Sequence, residues 1–163
     1  MEFCLNVGSG ERTYKEYPQG SGYKCINYDG RDIPGHTDAV GDVRKLPYPD
    51  EYFSAMLCSD IIEHFPISET NKILTEWKRV LKVGGVIEFR LPDLKSICSK
   101  YVCGEYDAKL TSWLLYGGQD YPGNFHYVGF DRIWFSSILK ENGFEVTEVK
   151  DSDNNFEIKA RRL

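Results

Sequence analysis

Four short apolar runs in the first sixty residues each stop at a glycine or next to an aspartate, and that rhythm leaves few folds open to the chain. Phe3-Cys4-Leu5-Asn6-Val7 runs into Gly8-Ser9-Gly10, Tyr23–Tyr28 into Asp29-Gly30, Asp38-Ala39-Val40 into Gly41-Asp42, and Tyr52–Cys58 into Ser59-Asp60. Runs of this length bounded by turn formers read as strands, and runs that are apolar throughout read as strands covered on both faces. From Ser68 to Lys82 the period changes. Ile73, Leu74, Trp77, Val80 and Leu81 fall at helical spacing, with Ser68 as the expected N-cap and Gly84-Gly85 as the expected stop. Val86–Leu91 then alternates as a fifth strand closed by Pro92. Leu94–Tyr101 and Asp131–Asn142 read as helices, the second ended by Gly143, with a turn-rich stretch from Gly117 to Gly129 between them. Phe144–Val149 and Phe156–Arg161 alternate on either side of Asp151-Ser152-Asp153-Asn154, a hairpin signal. The fold class is α/β, with a mostly parallel sheet and one antiparallel strand near its carboxyl-terminal edge.

The 163 residues, 41% hydrophobic and 28% charged, are expected to form one domain over 1–163 with a substantial core, which excludes a disordered chain. A formal net charge of -5 disfavours a broad nucleic-acid surface, and Lys78, Arg79, Lys82, Lys159, Arg161 and Arg162 read as solvated faces. No apolar run approaches the roughly 20 residues of a membrane span, and Met1-Glu2-Phe3 carries no signal-peptide pattern, so the expectation is a soluble, cytoplasmic protein. Cys4, Cys25 and Cys58 lie inside apolar runs and read as core. The five cysteines contain no C-x-x-C pair, so no metal site is expected.

In an open parallel sheet, ligands bind outside the carboxyl ends of the strands, where strand order reverses. Gly8-Ser9-Gly10 lets the backbone turn tightly and approach a ligand. Asp29, about twenty positions on at the tip of the second strand, can accept the hydroxyls of a ribose. A dinucleotide site needs a third glycine opening a helix, but Thr13 stands there, and Pro18, Gly20 and Gly22 leave little room for one. Asp42 offers an acceptor for an adenine amino group, with Val43 and Leu46 to flank the ring. The set suits an adenosine without phosphates.

LNVGSG (5–10), NYDG (27–30), GDVRKLPYPDEYFS (41–54), CSDIIEHF (58–65), RVLKVGGVIEFRLPD (79–93) and a late Gly143-Phe144, in that order, resemble a class I S-adenosylmethionine-dependent methyltransferase over nearly the whole chain. The likeness is strongest to the compact bacterial, methyltransferase type 11-like group. It implies a Rossmann-like seven-stranded sheet of order 3-2-1-4-5-7-6 with an antiparallel last strand. It further implies S-adenosylmethionine as cofactor and S-adenosylhomocysteine as product, with Asn6, Val7, Gly8, Ser9 and Gly10 by the methionine part and Asp29 with Gly30 at the ribose. Asp42, Val43 and Leu46 would then meet the adenine, and Ser59 the methionine end. The chain departs from the pattern at Asn6, where an acidic residue is usual, and at Arg12, where a third glycine is usual. The helices after the first two strands are cut to loops on one side of the sheet, and the amino-terminal cap helices are missing. Such an opening is one that a homodimer could complete.

Methyl transfer needs alignment of acceptor, methyl carbon and sulfur, and a hydroxyl acceptor can use a nearby base. His64, in Asp60-Ile61-Ile62-Glu63-His64-Phe65, and His126, in the Tyr- and Gly-rich 116–130 segment, are the candidate catalytic residues. Glu63 reads as structural. The expected function is methyl transfer to a small-molecule or glycan acceptor. An RNA methyltransferase and a non-catalytic protein that binds S-adenosylmethionine or S-adenosylhomocysteine are the alternatives.

Overall fold

The computed structural model describes residues 1–163. Strands β1 (Phe3–Val7), β2 (Lys24–Asp29), β3 (Ala39–Val40), β4 (Phe53–Ser59), β5 (Leu81–Pro92), β6 (Phe144–Ser152) and β7 (Asn155–Arg162) form one sheet in the order β3-β2-β1-β4-β5-β7-β6. The first five pair in parallel, and β7 runs antiparallel to both β5 and β6. This is the Rossmann-like order expected from the sequence. It reverses between β1 and β4, and the carboxyl ends of those two strands open the crevice that holds the site.

Helices α1 (Ile67–Val80), α2 (Leu94–Val102), α3 (Ala108–Tyr116) and α4 (Arg132–Glu141) all follow β4. Ile73, Leu74, Trp77 and Val80 of α1 and Phe135, Ile138 and Leu139 of α4 join Leu5, Met56 and Phe89 of the sheet in a core of 25 buried residues. Each such fully buried aliphatic or phenylalanine side chain contributes about 1.5–3 kcal/mol relative to exposure. The Trp77 indole N–H, wholly buried, donates to the Val43 carbonyl at 2.9 Å and so ties α1 to the loop after β3. No helix is long and apolar enough to cross a membrane.

The opposite face of the sheet has no helix between β1 and β4, as the sequence suggested. A loop over residues 8–23 lies there instead, with Tyr14, Tyr17 and Tyr23 packed on buried Cys4, Cys25 and Ala55. Two asparagines pin that loop. Asn6 and Asn27 are register partners in β1 and β2, and the Asn6 amide donates to Asn27 Oδ1 at 3.0 Å and to the Arg12 carbonyl at 2.7 Å. Asn27 Oδ1 also accepts from Tyr14 N at 2.9 Å, while Asn27 Nδ2 donates to the Tyr14 carbonyl at 2.9 Å and to Asp38 at 2.7 Å. The same cross-strand row continues through Leu57 to Glu88, Lys159 and Glu148. Lys159 pairs with Glu88 at 3.0 Å, and the Tyr17 hydroxyl donates to Glu88 at 2.6 Å. Burial and the Glu88 carboxylate push the Tyr17 phenol up, so it stays a donor.

Three expectations need correction. Helix α1 starts at Ile67 after Pro66, with no side-chain cap, so Ser68 is not its N-cap. It ends at Val80, not Lys82, because Leu81 is wholly buried and pairs with Phe53, which draws the chain into β5 five residues before the expected start at Val86. Gly84-Gly85 is therefore inside an irregular stretch of β5 and does not stop the helix. Helix α3 has no counterpart among the expected elements, since only Thr111 of its nine residues is buried and no apolar stripe marks it.

Candidate active site

At the end of β1 the backbone turns at Gly8, φ +68°, and the amides of Gly8 and Ser9 both donate to the Tyr28 carbonyl of β2, at 2.8 and 3.1 Å. The Gly10 amide then donates to Asp29 Oδ2 at 2.8 Å, so the glycine loop and the buried aspartate of β2 position each other. Asp29 Oδ1 accepts from the Arg31 amide at 3.0 Å and from Arg31 Nε at 3.2 Å. The same local device recurs after β3, where Asp42 Oδ1 accepts from the Arg44 amide at 2.8 Å and from Arg44 Nε at 2.9 Å. Hydrogen bonds from Arg44 hold the Asp42 carboxyl below its ordinary range. Each arginine also lies over an aromatic ring, Arg31 on Tyr121 at 4.6 Å and Arg44 on Phe65 at 5.6 Å.

These residues border a cavity of about 1010 Å³. Of the residues picked out in the sequence, Gly8, Asp29, Gly30, Asp42, Val43 and His64 line it. Asn6, Ser9, Gly10 and Ser59, again with Gly8, line a smaller cavity of about 220 Å³ beside it. Val7 and Leu46 line neither: both side chains are buried in the main core. Leu46 is held there by its backbone, whose amide donates to Glu76 at 2.8 Å and whose carbonyl accepts from Arg79 at 3.1 Å. The larger cavity is also lined by Asp60, Ile61, Phe65 and the Tyr121-Pro122-Gly123 turn, which belong to the two segments that carry His64 and His126, and by Arg31 and Arg44, which were not singled out in the sequence. The Asp-x-Arg repeat at 29–31 and 42–44 was the signal available for the two arginines.

His64 and His126, far apart in sequence, meet edge to face with ring centroids 4.7 Å apart. His64 Nδ1 is 3.1 Å from the Phe125 carbonyl, and His126 Nδ1 is 3.1 Å from the Leu114 carbonyl. A carbonyl only accepts, so in the neutral rings each Nδ1 carries the proton and donates, leaving each Nε2 with a lone pair. Burial, with His126 as the next cause, pushes His64 down to about 4, and burial lowers His126 as well. The Glu63 carbonyl accepts from the Tyr127 amide at 2.8 Å, a further tie between the turn at Ile62–His64 and the 125–127 segment. Glu63 itself is 1% exposed, and neither carboxylate oxygen has a hydrogen-bond partner. Burial, and then Asp60, push its carboxyl well above the usual range. Asp60 is engaged elsewhere, paired with Arg90 and accepting from Asn155 at 3.1 Å.

A family model described as a methyltransferase domain matches residues 5–89, more than half of the chain. The chain belongs to this family. The chain is 29% identical over 126 residues to the ubiquinone/menaquinone biosynthesis C-methyltransferase UbiE of Caulobacter vibrioides, covering 64% of this chain and 49% of the relative. It thus spans about half the length of the curated relatives it matches. Among solved structures, a SAM-dependent methyltransferase of Methanosarcina mazei superposes with TM-score 0.69 at 18% identity, over 99% of this chain and 92% of that one. The 1,6-didemethyltoxoflavin-N1-methyltransferase of Burkholderia thailandensis, solved with 1,6-didemethyltoxoflavin and S-adenosylhomocysteine, gives TM-score 0.70 at 14% identity, over 99% and 71%. The fold is shared with these solved methyltransferases, and the donor set at the crevice fits an adenosyl cofactor. A buried carboxylate at the tip of β2 and close-approach backbone at Gly8 suit an adenosyl group, and no helix N-terminus opens at the glycine loop to hold a pyrophosphate.

Proposed function

We propose that this chain binds S-adenosylmethionine in the crevice between β1, β2 and β4 and catalyses transfer of its methyl group to a small polar molecule or a glycan. The observation that carries the reading is the mutual fixing of the Gly8–Gly10 loop and Asp29 at the rim of the 1010 Å³ cavity. Asp29 would take the ribose. A carboxylate offers about four acceptor sites and three are in use, so a ribose diol would displace the weakest bond, from Arg31 Nε at 3.2 Å. Gly30, Asp42 and Val43 would border the adenine, and Asn6, Ser9, Gly10 and Ser59 the methionine end. Asn6 is neutral and its amide is already held by Arg12 and Asn27, so the cofactor's ammonium gains no charge partner from it.

When bound, S-adenosylmethionine supplies an electrophilic methyl carbon. The protein's part is to hold the acceptor in line and keep water away. His64, on the cavity wall, and His126 against it would face the acceptor. A small acceptor is favoured over RNA because the arginines lining the larger cavity are already paired: Arg31 with Asp29, and Arg44 with Asp42 and Glu69.

The test is titration calorimetry with S-adenosylmethionine and S-adenosylhomocysteine, with NAD as control, followed by transfer of radiolabelled methyl to a panel of sugars and small polar acceptors. Asp29→Ala should weaken binding of both adenosyl compounds by about 1.5–3 kcal/mol, the range for a hydrogen bond to a charged group. Unchanged affinity in that variant removes the ribose assignment, and no binding by the unaltered chain removes the reading itself.

A further inference from the structure

We infer that Glu63, His64 and His126 form a binding site for one divalent transition-metal cation at the wall of the cofactor cavity, held by one carboxylate oxygen and two imidazole nitrogens. One potential ligand atom of each residue lies within 4.8 Å of the other two. Ligands about 2.1 Å from a shared ion stand about 3.4 Å apart at a tetrahedral centre, so the widest pair must close by up to about 1.4 Å as the ion is taken up.

Three independent features select a cation. The first is the orphaned carboxylate: both Glu63 oxygens are buried without any donor, an arrangement proteins avoid unless an ion or proton completes it. The second is the fixed tautomer of both rings. With each Nδ1 donating to a backbone carbonyl, the two Nε2 lone pairs are what remains, and a hydrogen bond from the other ring nitrogen to a carbonyl is the usual support of a metal-ligating histidine. The third is preorganisation, since the Tyr127-to-Glu63 and His64-to-Phe125 bonds lock the two chain segments together without any ion. One nitrogen of each ring and one oxygen of the unpartnered carboxylate are thereby brought together. Two imidazoles and one carboxylate suit Zn²⁺ or Mn²⁺ better than Mg²⁺, which prefers oxygen ligands and keeps its water.

Three protein ligands leave coordination positions open, and His64 faces the cavity. Resting on the methyl-transfer reading, the open position assigns an oxygen-bearing acceptor as the exogenous ligand: a hydroxyl bound there would lose its proton to solvent more readily, and its oxygen would form the new C–O bond as the methyl–sulfur bond breaks and S-adenosylhomocysteine leaves with the electron pair. The two histidines then act as ligands and not as free proton acceptors.

The test uses the full chain carrying Cys98→Ser and Cys103→Ser, which removes the two exposed thiols that could bind zinc, stripped with chelator and desalted. Mn²⁺ binding is followed by electron paramagnetic resonance and Zn²⁺ binding by calorimetry, with Mg²⁺ as comparison. The expected result is one Mn²⁺ or Zn²⁺ per chain, weakened at least tenfold by Glu63→Gln and by His126→Ala and unchanged by His36→Ala. Far-UV circular dichroism and S-adenosylhomocysteine titration of the same variants report the fold and the cofactor site separately. Absence of stoichiometric binding by the unaltered cluster overturns the proposal, as does full affinity in either the Glu63 or the His126 variant. A chain that binds the cation but not S-adenosylhomocysteine keeps the metal site and loses the methyl-transfer reading; the reverse pattern loses only the metal site.

Discussion

Gly8→Ala tests the close packing of the glycine loop, and its size can be worked from two contributions. The first is conformational: at φ +68° an alanine enters the left-handed region, at a cost of about 1–2 kcal/mol. The second is steric. A Cβ at Gly8 would stand 2.7 Å from both Cγ1 and Cδ1 of Ile61 and 2.9 Å from its Cβ, so the loop or the segment after β4 must move. Such overpacking costs about 1–3 kcal/mol, giving a combined loss of about 2–5 kcal/mol. At about 2–4 °C per kcal/mol for a chain of this size, the melting temperature should fall by about 4–20 °C. Gly10→Ala is the internal control, because φ there is +51° but the nearest atom to its Cβ would be Arg31 Nη2 at 3.8 Å, leaving the conformational cost alone. Urea unfolding of Gly8→Ala, Ile61→Ala and the double variant separates the two contributions. Truncating Ile61 removes the Cγ1 and Cδ1 collisions but keeps its own Cβ at 2.9 Å and the strained φ, so the double variant should be more stable than additivity predicts by about 1–2 kcal/mol, part of the steric cost. Additivity within about 0.5 kcal/mol, or a Gly8→Ala no worse than Gly10→Ala, would refute the packing argument.

Asn6→Asp, which places the usual acidic residue of the family at that position, should destabilise this chain by about 1–3 kcal/mol, because a carboxylate there would face the Asn27 Oδ1 and Arg12 carbonyl acceptors that now receive its amide; equal urea midpoints would show that the amide pair does not hold the loop. Glu76 supplies a pH dependence. Hydrogen bonds from Arg79, at 2.7 and 2.8 Å, and from the Leu46 amide hold its carboxyl below the ordinary 4.5, so the folded state binds its proton less readily than the unfolded one. That stabilisation is fully present above about pH 4.5 and is lost as pH falls through the lower folded value. Glu76→Gln should therefore be less stable than the parent at neutral pH and lose less stability on acidification from about pH 5 to pH 3; parallel stability curves over that interval would remove Glu76 from the acid response.

The parts of this fold that were readable in the sequence are those that bury a continuous or periodic apolar set. Phe3–Val7 is both the expected and the observed first strand, and the 2-periodic runs on either side of Asp151–Asn154 pair as the antiparallel hairpin β6–β7. Reading failed where one buried side chain outweighed local propensity. Leu81 continues the helical stripe of α1, yet its burial against β4 pulls it into β5, and the glycines after it, which resemble a helix stop, serve a strand irregularity. The acceptor side of the site was hidden for a different reason. His64 and His126 are brought together by hydrogen bonds that their rings donate to the Phe125 and Leu114 carbonyls and that the Tyr127 and His126 amides donate to the Glu63 and Tyr116 carbonyls, backbone groups that carry no residue-type signal. Glu63 looked structural because a buried glutamate is expected to have a partner, and its lack of one is visible only in three dimensions. Asn6 joins the two cases. Seen alone in the sequence it is a lost charge at the cofactor's ammonium, but in the sheet it forms with Asn27 a polar pair that fastens residues 8–23 where related folds carry a helix. A carboxylate in place of the Asn6 amide would disrupt that fastening, because both groups that now accept from the amide would face a third acceptor.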